Sequence, residues 1–350
     1  MLMLTSVAAA SAHLLASDLA ARAVPLAAPP RPATALVQHG CTRVDGIVSA
    51  EHCRRLKRHI FALQAVATLP SEEPADLRHI PGTRIRFREA IDCAFAGSRS
   101  DILLPTEDPL VAETLRLVLG ALHSTLQAGG LRLPLIENSG TGDRASSAAS
   151  GATAAAEAAA FEADAGRSDL GVGLELVECA CLVSRPGSTH QEIHSDYRRD
   201  LPLQQPPRLV AFLYLQDTPT VEHGATIFLP DTATAAAHAA YYDAATAGGV
   251  DGTAGGIGAA GSASAPRCAT LRAGDVAVYD ASLLHFGSAN SVQGNQRAVM
   301  YLGVAREGET EVLAPRLSAP TELQAVEPLT IARLLRGRAG RSVGGQLSDE

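Results

Sequence analysis

No Cys-x-x-Cys pair occurs in this sequence, and its cysteines (Cys41, Cys53, Cys93, Cys179, Cys181 and Cys268) are scattered through 350 residues. Zinc-ribbon and thioredoxin readings therefore fall away. Cys179 and Cys181 point to one face of a strand-like run with their sulfurs poorly placed to bridge each other. The cysteines read as small buried hydrophobes in a reducing compartment. Basic charge is also short: the formal net charge is -8, which argues against a nucleic-acid partner. The one dense basic run, Arg54-Arg55-Leu56-Lys57-Arg58, reads as the wet face of a helix. No apolar run reaches the length of a membrane span. A βαβ alternation is missing too, and no Gly-rich loop leads from a strand into a helix, which argues against nucleotide-binding folds.

What is present is enough chain for one large domain with a sizeable core. Apolar residues make up 46% of it, but alanine inflates that figure, so true core formers are fewer. Residues 1–34 are rich in Ala, Leu, Ser and Pro, with Asp18, Arg22 and Arg31 as their charges. They read as a disordered leader, an acid-poor organellar transit peptide, or a secretory signal without a charged n-region. An intracellular location, cytoplasmic or organellar, fits the cysteine usage better than secretion.

Ordered sequence is expected from about residue 35 to residue 310. Leu36–Val48 has strand character broken by glycines, and Ser49 is placed to cap a helix through Cys53, Leu56 and Ile60. A second helix is predicted from Asp108 to Gln127, with Pro109 in its first turn. Two stretches, 139–168 and 232–266, are Ala/Gly/Ser/Thr-rich and read as solvent-exposed insertions without chemistry of their own. Between and after them come short β-like runs: Leu174–Val183, Leu209–Leu215, Thr226–Leu229, Val276–Tyr279 and Ala298–Val304. Short strands divided by turns, with helices at the start, predict an antiparallel sandwich or barrel. Residues 311–350 read as a C-terminal tail with a short helix.

His194-Ser195-Asp196 places an imidazole and a carboxylate two residues apart. In an extended segment, alternate residues share a face, so both side chains converge on one point. A histidine from another strand would complete two histidines and one carboxylate, which leaves three cis positions on an octahedral metal. With eleven histidines in the chain, His-x-Asp alone is a weak signal. The distal half strengthens it. Gly274-Asp275 opens a turn, Val276–Tyr279 forms a strand, and Leu283-Leu284-His285 follows. A small polar loop through Ser288, Asn290 and Ser291 then leads to Arg297, whose planar fork can grip a carboxylate bidentately. Arg84, Arg86 and Arg88 alternate along another run and share a face, either meeting an anionic substrate or pairing with Glu89 and Asp92.

Pro186 through Asp196, with Gln191 three residues before His194, resembles the metal-binding segment of phytanoyl-CoA dioxygenase-like proteins. Gly224–Pro230 resembles the strand and proline that follow in that family. Gly274-Asp275, the run His285 to Asn290, and Arg297 are similar to its distal half, and Arg43–Ser49 to its entry strand. The resemblance spans roughly residues 36–305 outside the two insertions. It implies a mainly β fold with flanking α-helices, a double-stranded β-helix (cupin-like jelly roll). It also implies an Fe(II)- and 2-oxoglutarate-dependent dioxygenase, with iron on His194, Asp196 and His285. Arg297 would anchor 2-oxoglutarate, helped by Gln191, Ser288 and Asn290. Dioxygen would be consumed as 2-oxoglutarate is decarboxylated to succinate and a small organic or acyl substrate is hydroxylated. An aspartate at 196, where halogenating relatives lose the carboxylate, favours hydroxylation.

There are departures. His223 stands where the family has an asparagine, the loop before Arg297 is a residue longer, and the 232–266 insertion replaces a short serine-histidine turn. Two other readings stay open. The Arg208–Leu215 strand and His194-Ser195-Asp196-Tyr197 also resemble prolyl 4-hydroxylase-like oxygenases acting on peptides, although that group commonly anchors its co-substrate with lysine. The other is a non-catalytic metal-binding jelly-roll module. The substrate itself and the oligomeric state are not legible.

Overall fold

Two capped helices and a ladder of short strands place the core. The computed structural model describes residues 14–67, 78–79, 86–89, 99–104, 106, 108–128, 174–196, 208–246, 264–306 and 329–330. Helix α1 (14–22) is followed by β1 (Val24–Pro25), α2 (Pro32–His39), β2 (Cys41–Val44) and α3 (Ala50–Ala67). Then come β3 (Arg78–His79), β4 (Arg86–Glu89), β5 (Arg99–Leu103), α4 (Pro109–Ala128), β6 (Leu174–Ser184), β7 (Arg208–Tyr214) and β8 (Thr226–Phe228). Helix α5 (Ala235–Thr246), β9 (Arg267–Cys268), β10 (Val276–Asp280), β11 (His285–Gly287), β12 (Arg297–Arg306) and β13 (Leu329–Thr330) complete the order.

The two long helices form where their caps and stripes predict. The Ser49 hydroxyl accepts the His52 amide at 3.2 Å at the start of α3. The Asp108 carboxylate accepts the amides of Leu110 and Val111 at 2.9 and 3.1 Å at the start of α4. Cys53, Leu56 and Ile60 on α3, and Val111, Leu115, Val118 and Leu122 on α4, recur at helical spacing and are buried. They pack against one face of a large sheet through Cys179, Cys181, Val183, Leu213, Met300 and Leu302.

That sheet runs β2-β10-β7-β12-β6-β5-β4-β3, with β13 also pairing β6. Its pairings are antiparallel. A smaller sheet, β1-β9-β8-β11, lies against its other face. Val210, Phe212, Tyr214, Tyr279 and Val299 from the large sheet meet Phe228, Ala269 and Leu271 in the space between. The alternation along β7 decides which side each residue takes: Leu209, Ala211 and Leu213 face the helices, while Val210, Phe212 and Tyr214 face the interior. The result is a jelly roll, mainly β with helices outside: the strand pattern predicts an antiparallel sandwich or barrel, and the resemblance implies this form of it.

Three segments differ from expectation. Leu36–Val48 is not one strand: α2 runs to His39, Gly40 closes it at φ 72°, and β2 starts at Cys41. The Gly40 amide donates to the Leu36 carbonyl at 2.8 Å, a left-handed helix end that favours glycine. Within the expected leader, 14–22 is helical. Ala16, Leu19 and Ala20 form a buried i, i+3, i+4 stripe against Ile193, Ile227, Leu284 and Phe286, covering the outer face of the small sheet. Within the second insertion, α5 packs on the same cluster through Tyr241 and Tyr242, with Ala237 and His238 buried. An exposed loop was expected there, and the large side chains that prevent it are those two tyrosines. The first insertion (139–168), the Arg84, Arg86 and Arg88 side chains, and the tail apart from β13 lie outside the described residues.

Candidate metal centre

His194 lies on an irregular segment that meets His285, at the start of β11, in an isolated antiparallel bridge. The His194 amide donates to the His285 carbonyl at 3.0 Å, and the His285 amide donates back at 2.8 Å. The two rings therefore stand side by side, with centroids 4.5 Å apart. Asp196 shares the face of His194, as alternation predicts. One ligand atom from each of His194, Asp196 and His285 lies within 4.8 Å of the others. All three candidate metal residues are brought together.

The tautomers are set by the backbone. His194 Nδ1 is 2.7 Å from the Glu192 carbonyl, and His285 Nδ1 is 2.9 Å from the Leu283 carbonyl. A carbonyl oxygen can only accept, so each Nδ1 carries the hydrogen and each Nε2 keeps its lone pair. His285 Nε2 is 3.8 Å from Asp196 Oδ1, which marks the inner corner of the site. Burial lowers the His285 pKa to about 4, partly offset by Asp196, so this imidazole is neutral at pH 7. Such outer hydrogen bonds orient a histidine and raise its basicity as a ligand.

The other Asp196 oxygen, Oδ2, accepts the Tyr279 hydroxyl at 2.9 Å. Tyr279 is 1% exposed and its ring is tilted against that of His285, with ring centroids 4.8 Å apart. Burial, with the Asp196 carboxylate next to it, holds this phenol protonated well above its ordinary range, so it is a lasting donor. Sequence reasoning did not find Tyr279. The signal available was only its position on β10, pointing inward between the two histidine segments.

Gln191 reaches the distal strand. Its Oε1 accepts the Gly287 amide at 2.8 Å, while its own amide donates to the Gly287 carbonyl at 2.9 Å. A Cβ at Gly287 would lie 2.4 Å from Gln191 Oε1 and 2.6 Å from Arg99 Nη1, so a side chain there would displace one or both of these groups. Arg99, fully buried on β5, donates from Nη2 to the carbonyls of Thr189 and Ser288 at 2.6 and 2.9 Å. It ties the loop before His194 to the loop after His285. It too was missed by sequence reasoning, since nothing local marks an arginine that acts across the sheet.

Ser288 and Asn290 are buried, but their polar groups serve the loop. The Ser288 hydroxyl donates to the Val221 carbonyl at 2.6 Å. Asn290 Nδ2 donates to the carbonyls of Ser184 and Asn295 at 2.9 and 2.7 Å, and its Oδ1 accepts from Asn295 at 3.0 Å. The sequence suggests that both help hold a co-substrate carboxylate; in the structure they bind Val221, Ser184 and Asn295.

Arg297 is different. It is 1% exposed at the start of β12, and Nη2 donates to the Thr226 hydroxyl at 3.3 Å. Its guanidinium carbon lies 5.8 Å from the centre of the Tyr214 ring. Nε and Nη1 are buried with no hydrogen-bond partner among the described residues. The same holds for the hydroxyl of Ser184, which stands opposite Arg297 in the β6–β12 register. A buried guanidinium with two idle donors is costly unless something negative completes it. Tyr214 donates to Thr226 at 3.2 Å, so both belong to this wall, a role the sequence left unassigned.

No family model matches the sequence, and no curated protein matches it. Among solved structures, the chain is similar to SnoN, described as a non-heme alpha ketoglutarate dependent epimerase from nogalamycin biosynthesis. Identity is 16%, with 78% of this chain and 81% of that one covered, at a TM-score of 0.45. It is also similar to HygX from Streptomyces hygroscopicus with nickel and 2-oxoglutarate bound, at 14% identity, 80% and 87% coverage and a TM-score of 0.43. AviO1 from Streptomyces viridochromogenes Tue57 gives 15% identity, 81% and 97% coverage and a TM-score of 0.45. With TM-scores below 0.5, these likenesses leave the fold resting on its own strand order and the chemistry on its own side chains.

Proposed function

We propose that this chain is an Fe(II)- and 2-oxoglutarate-dependent dioxygenase that hydroxylates a small organic or acyl substrate, of the phytanoyl-CoA dioxygenase type. The observation that carries the reading is the pairing of two features inside one barrel. One is a two-histidine, one-carboxylate cluster; the other is a buried arginine with idle donors.

The donor set fits iron(II). His194 Nε2, His285 Nε2 and an Asp196 oxygen would hold the metal on one face, leaving the opposite positions for co-substrate and dioxygen. Tyr279 occupies Oδ2, which favours Oδ1 as the ligand atom and fixes the carboxylate plane.

Arg297 fits a carboxylate at the right remove. Thr226, which touches it, pairs with Gly287, and Phe228 pairs with His285 on the same strand pair. The two pairs are one side-chain repeat apart, roughly 7 Å along the strands. That separation suits a five-carbon dicarboxylate with one end near the histidines and the other on the guanidinium. Nη1 with the second hydrogen of Nη2 supplies the fork, Nε is a further donor, and Ser184 and Thr226 supply hydroxyls.

When bound, iron couples the reaction of dioxygen with 2-oxoglutarate, giving succinate and carbon dioxide, to hydroxylation of the substrate. The protein's part is placement. The histidine tautomers, the Tyr279 hydrogen bond and the apolar wall of Phe212, Phe228 and Val299 orient the ligands and keep water from the reacting positions.

Succinate release tests the activity. Purified protein with Fe(II), 2-oxoglutarate and ascorbate should form succinate, stimulated by a small organic or acyl substrate. Stimulation by proline-containing peptides alone would move the assignment to the prolyl 4-hydroxylase type. Metal uptake with no succinate over the whole panel would leave a non-catalytic module.

A further inference from the structure

We propose that helix α5, inside the alanine-rich insertion, is a brace that positions both histidine-bearing segments of the metal centre. This rests on the metal-centre reading above and adds residues outside the triad to it.

The segment carrying His194 and Asp196 needs outside support. Among the described residues it meets β11 at the His194–His285 bridge and through Gln191 on Gly287, and no sheet pairing reaches Ser195 or Asp196. Direction at a His-x-Asp site depends on the peptides either side of the histidine, because rotating them swings one ligand away from the other. Those two peptides are held by neighbouring tyrosines of α5. The Tyr241 hydroxyl donates to the Ile193 carbonyl at 2.9 Å, fixing the peptide before His194. The Ser195 amide donates to the Tyr242 hydroxyl at 3.1 Å, fixing the peptide after it. The Ser195 hydroxyl is a further 3.2 Å contact of the same phenol. The two tyrosine rings support each other edge to face, with centroids 5.1 Å apart.

The same insertion reaches the second histidine. His238 is fully buried, and its Nε2 lies 2.6 Å from the Ser282 carbonyl, to which it can only donate. Thr232 accepts the Leu284 amide at 3.0 Å and donates to the Leu229 carbonyl at 2.7 Å. Residues 282 and 284 are the approach to His285. Helix α5 and the turn before it therefore hold the chain at both histidine segments, and their hydrogen bonds go to main-chain groups beside the ligands. A helix present only to cover apolar surface would not need its tyrosine hydroxyls there. Tyr241, Tyr242, His238 and Thr232 are positioning residues, acting on the metal through His194, Asp196 and His285.

Tyrosine-to-phenylalanine changes separate the two roles, since they keep the ring packing and remove only the hydroxyls. Metal-free protein is titrated with Co(II), recording affinity and the visible d–d spectrum, with circular dichroism as the check on folding. The pair Tyr241→Phe, Tyr242→Phe is expected to weaken Co(II) binding about tenfold to a hundredfold and to alter the d–d band shape. Ala236→Ser, on the exposed side of α5, should change neither. If the pair does not fold, Tyr242→Phe alone carries the same expectation at about tenfold. Wild-type protein that takes up Co(II), with variants that match it in affinity and spectrum, overturns the brace and leaves the metal centre standing. Wild-type protein that takes up no Co(II) overturns the metal-centre reading itself, and the brace with it.

Discussion

Replacing His285 with alanine is expected to abolish Fe(II) or Co(II) uptake and, with it, succinate formation. The loss should exceed the roughly 10–100-fold that follows removal of an outer partner of a metal ligand, because a ligand itself is gone. The remaining His194 and Asp196 would offer one imidazole and one half-exposed carboxylate, a common and weak surface pair. Isothermal titration of the metal-free protein measures this directly. The same substitution changes the pH dependence of folding. In the metal-free wild type, burial holds His285 neutral down to about 4, while the unfolded chain protonates it near 6.5. The stabilising contribution is therefore whole above pH 6.5 and lost as pH falls toward 4. In His285→Ala that part of the slope should vanish. Denaturant unfolding at pH 7 and pH 5 reads it, and an unchanged slope would mean that His285 is not buried neutral.

The second large effect has opposite signs for stability and binding. Arg297→Met keeps much of the volume and apolar stem while removing a buried charge whose Nε and Nη1 have no protein partner among the described residues. Replacing buried ionic groups with apolar ones of similar size is often neutral or stabilising, by about 1–4 kcal/mol. The metal-free variant should melt no lower than wild type. Its affinity for 2-oxoglutarate should fall by about 2–5 kcal/mol, roughly thirtyfold to several thousandfold, because the ligand's distal carboxylate would be buried without its counter-charge. Arg297→Lys should recover part of the binding, since an ammonium supplies charge without the planar fork. A Met variant that unfolds readily while binding 2-oxoglutarate normally would make Arg297 a structural group, completed by Thr226 and Tyr214 alone.

The parts of this molecule that sequence exposes are those written in local spacing. His194 and Asp196 share a face because alternate residues do so in extended chain, and the strands that carry the barrel alternate in the same way. The Ser49 cap was legible because an N-cap acts within three residues. What stayed hidden acts across space. Tyr279 meets Asp196 from a strand far along the chain, and Arg99 reaches the 189 and 288 carbonyls from β5, 90 and 189 residues away in sequence. Composition misled at α1 and α5, where alanine-rich runs looked too poor in large side chains to order themselves. Each becomes ordered because the small sheet offers an apolar outer face, and a few residues (Leu19, Tyr241 and Tyr242) are enough to dock on it. The contacts of Ser288 and Asn290 also lie across space. Small polar residues near a proposed ligand look available in one dimension, yet the folded loop uses their hydrogen bonds to hold itself.

The account stands on one centre holding metal and co-substrate together. Anaerobic addition of Fe(II) and then 2-oxoglutarate to the metal-free protein tests that most directly, by the weak visible charge-transfer band that appears when the co-substrate chelates the metal. The band is predicted for the wild-type protein, saturating at one equivalent of each, and should be absent in His194→Ala. Fully iron-loaded wild-type protein that develops no band with 2-oxoglutarate, or a His194→Ala variant that keeps it, would contradict the account.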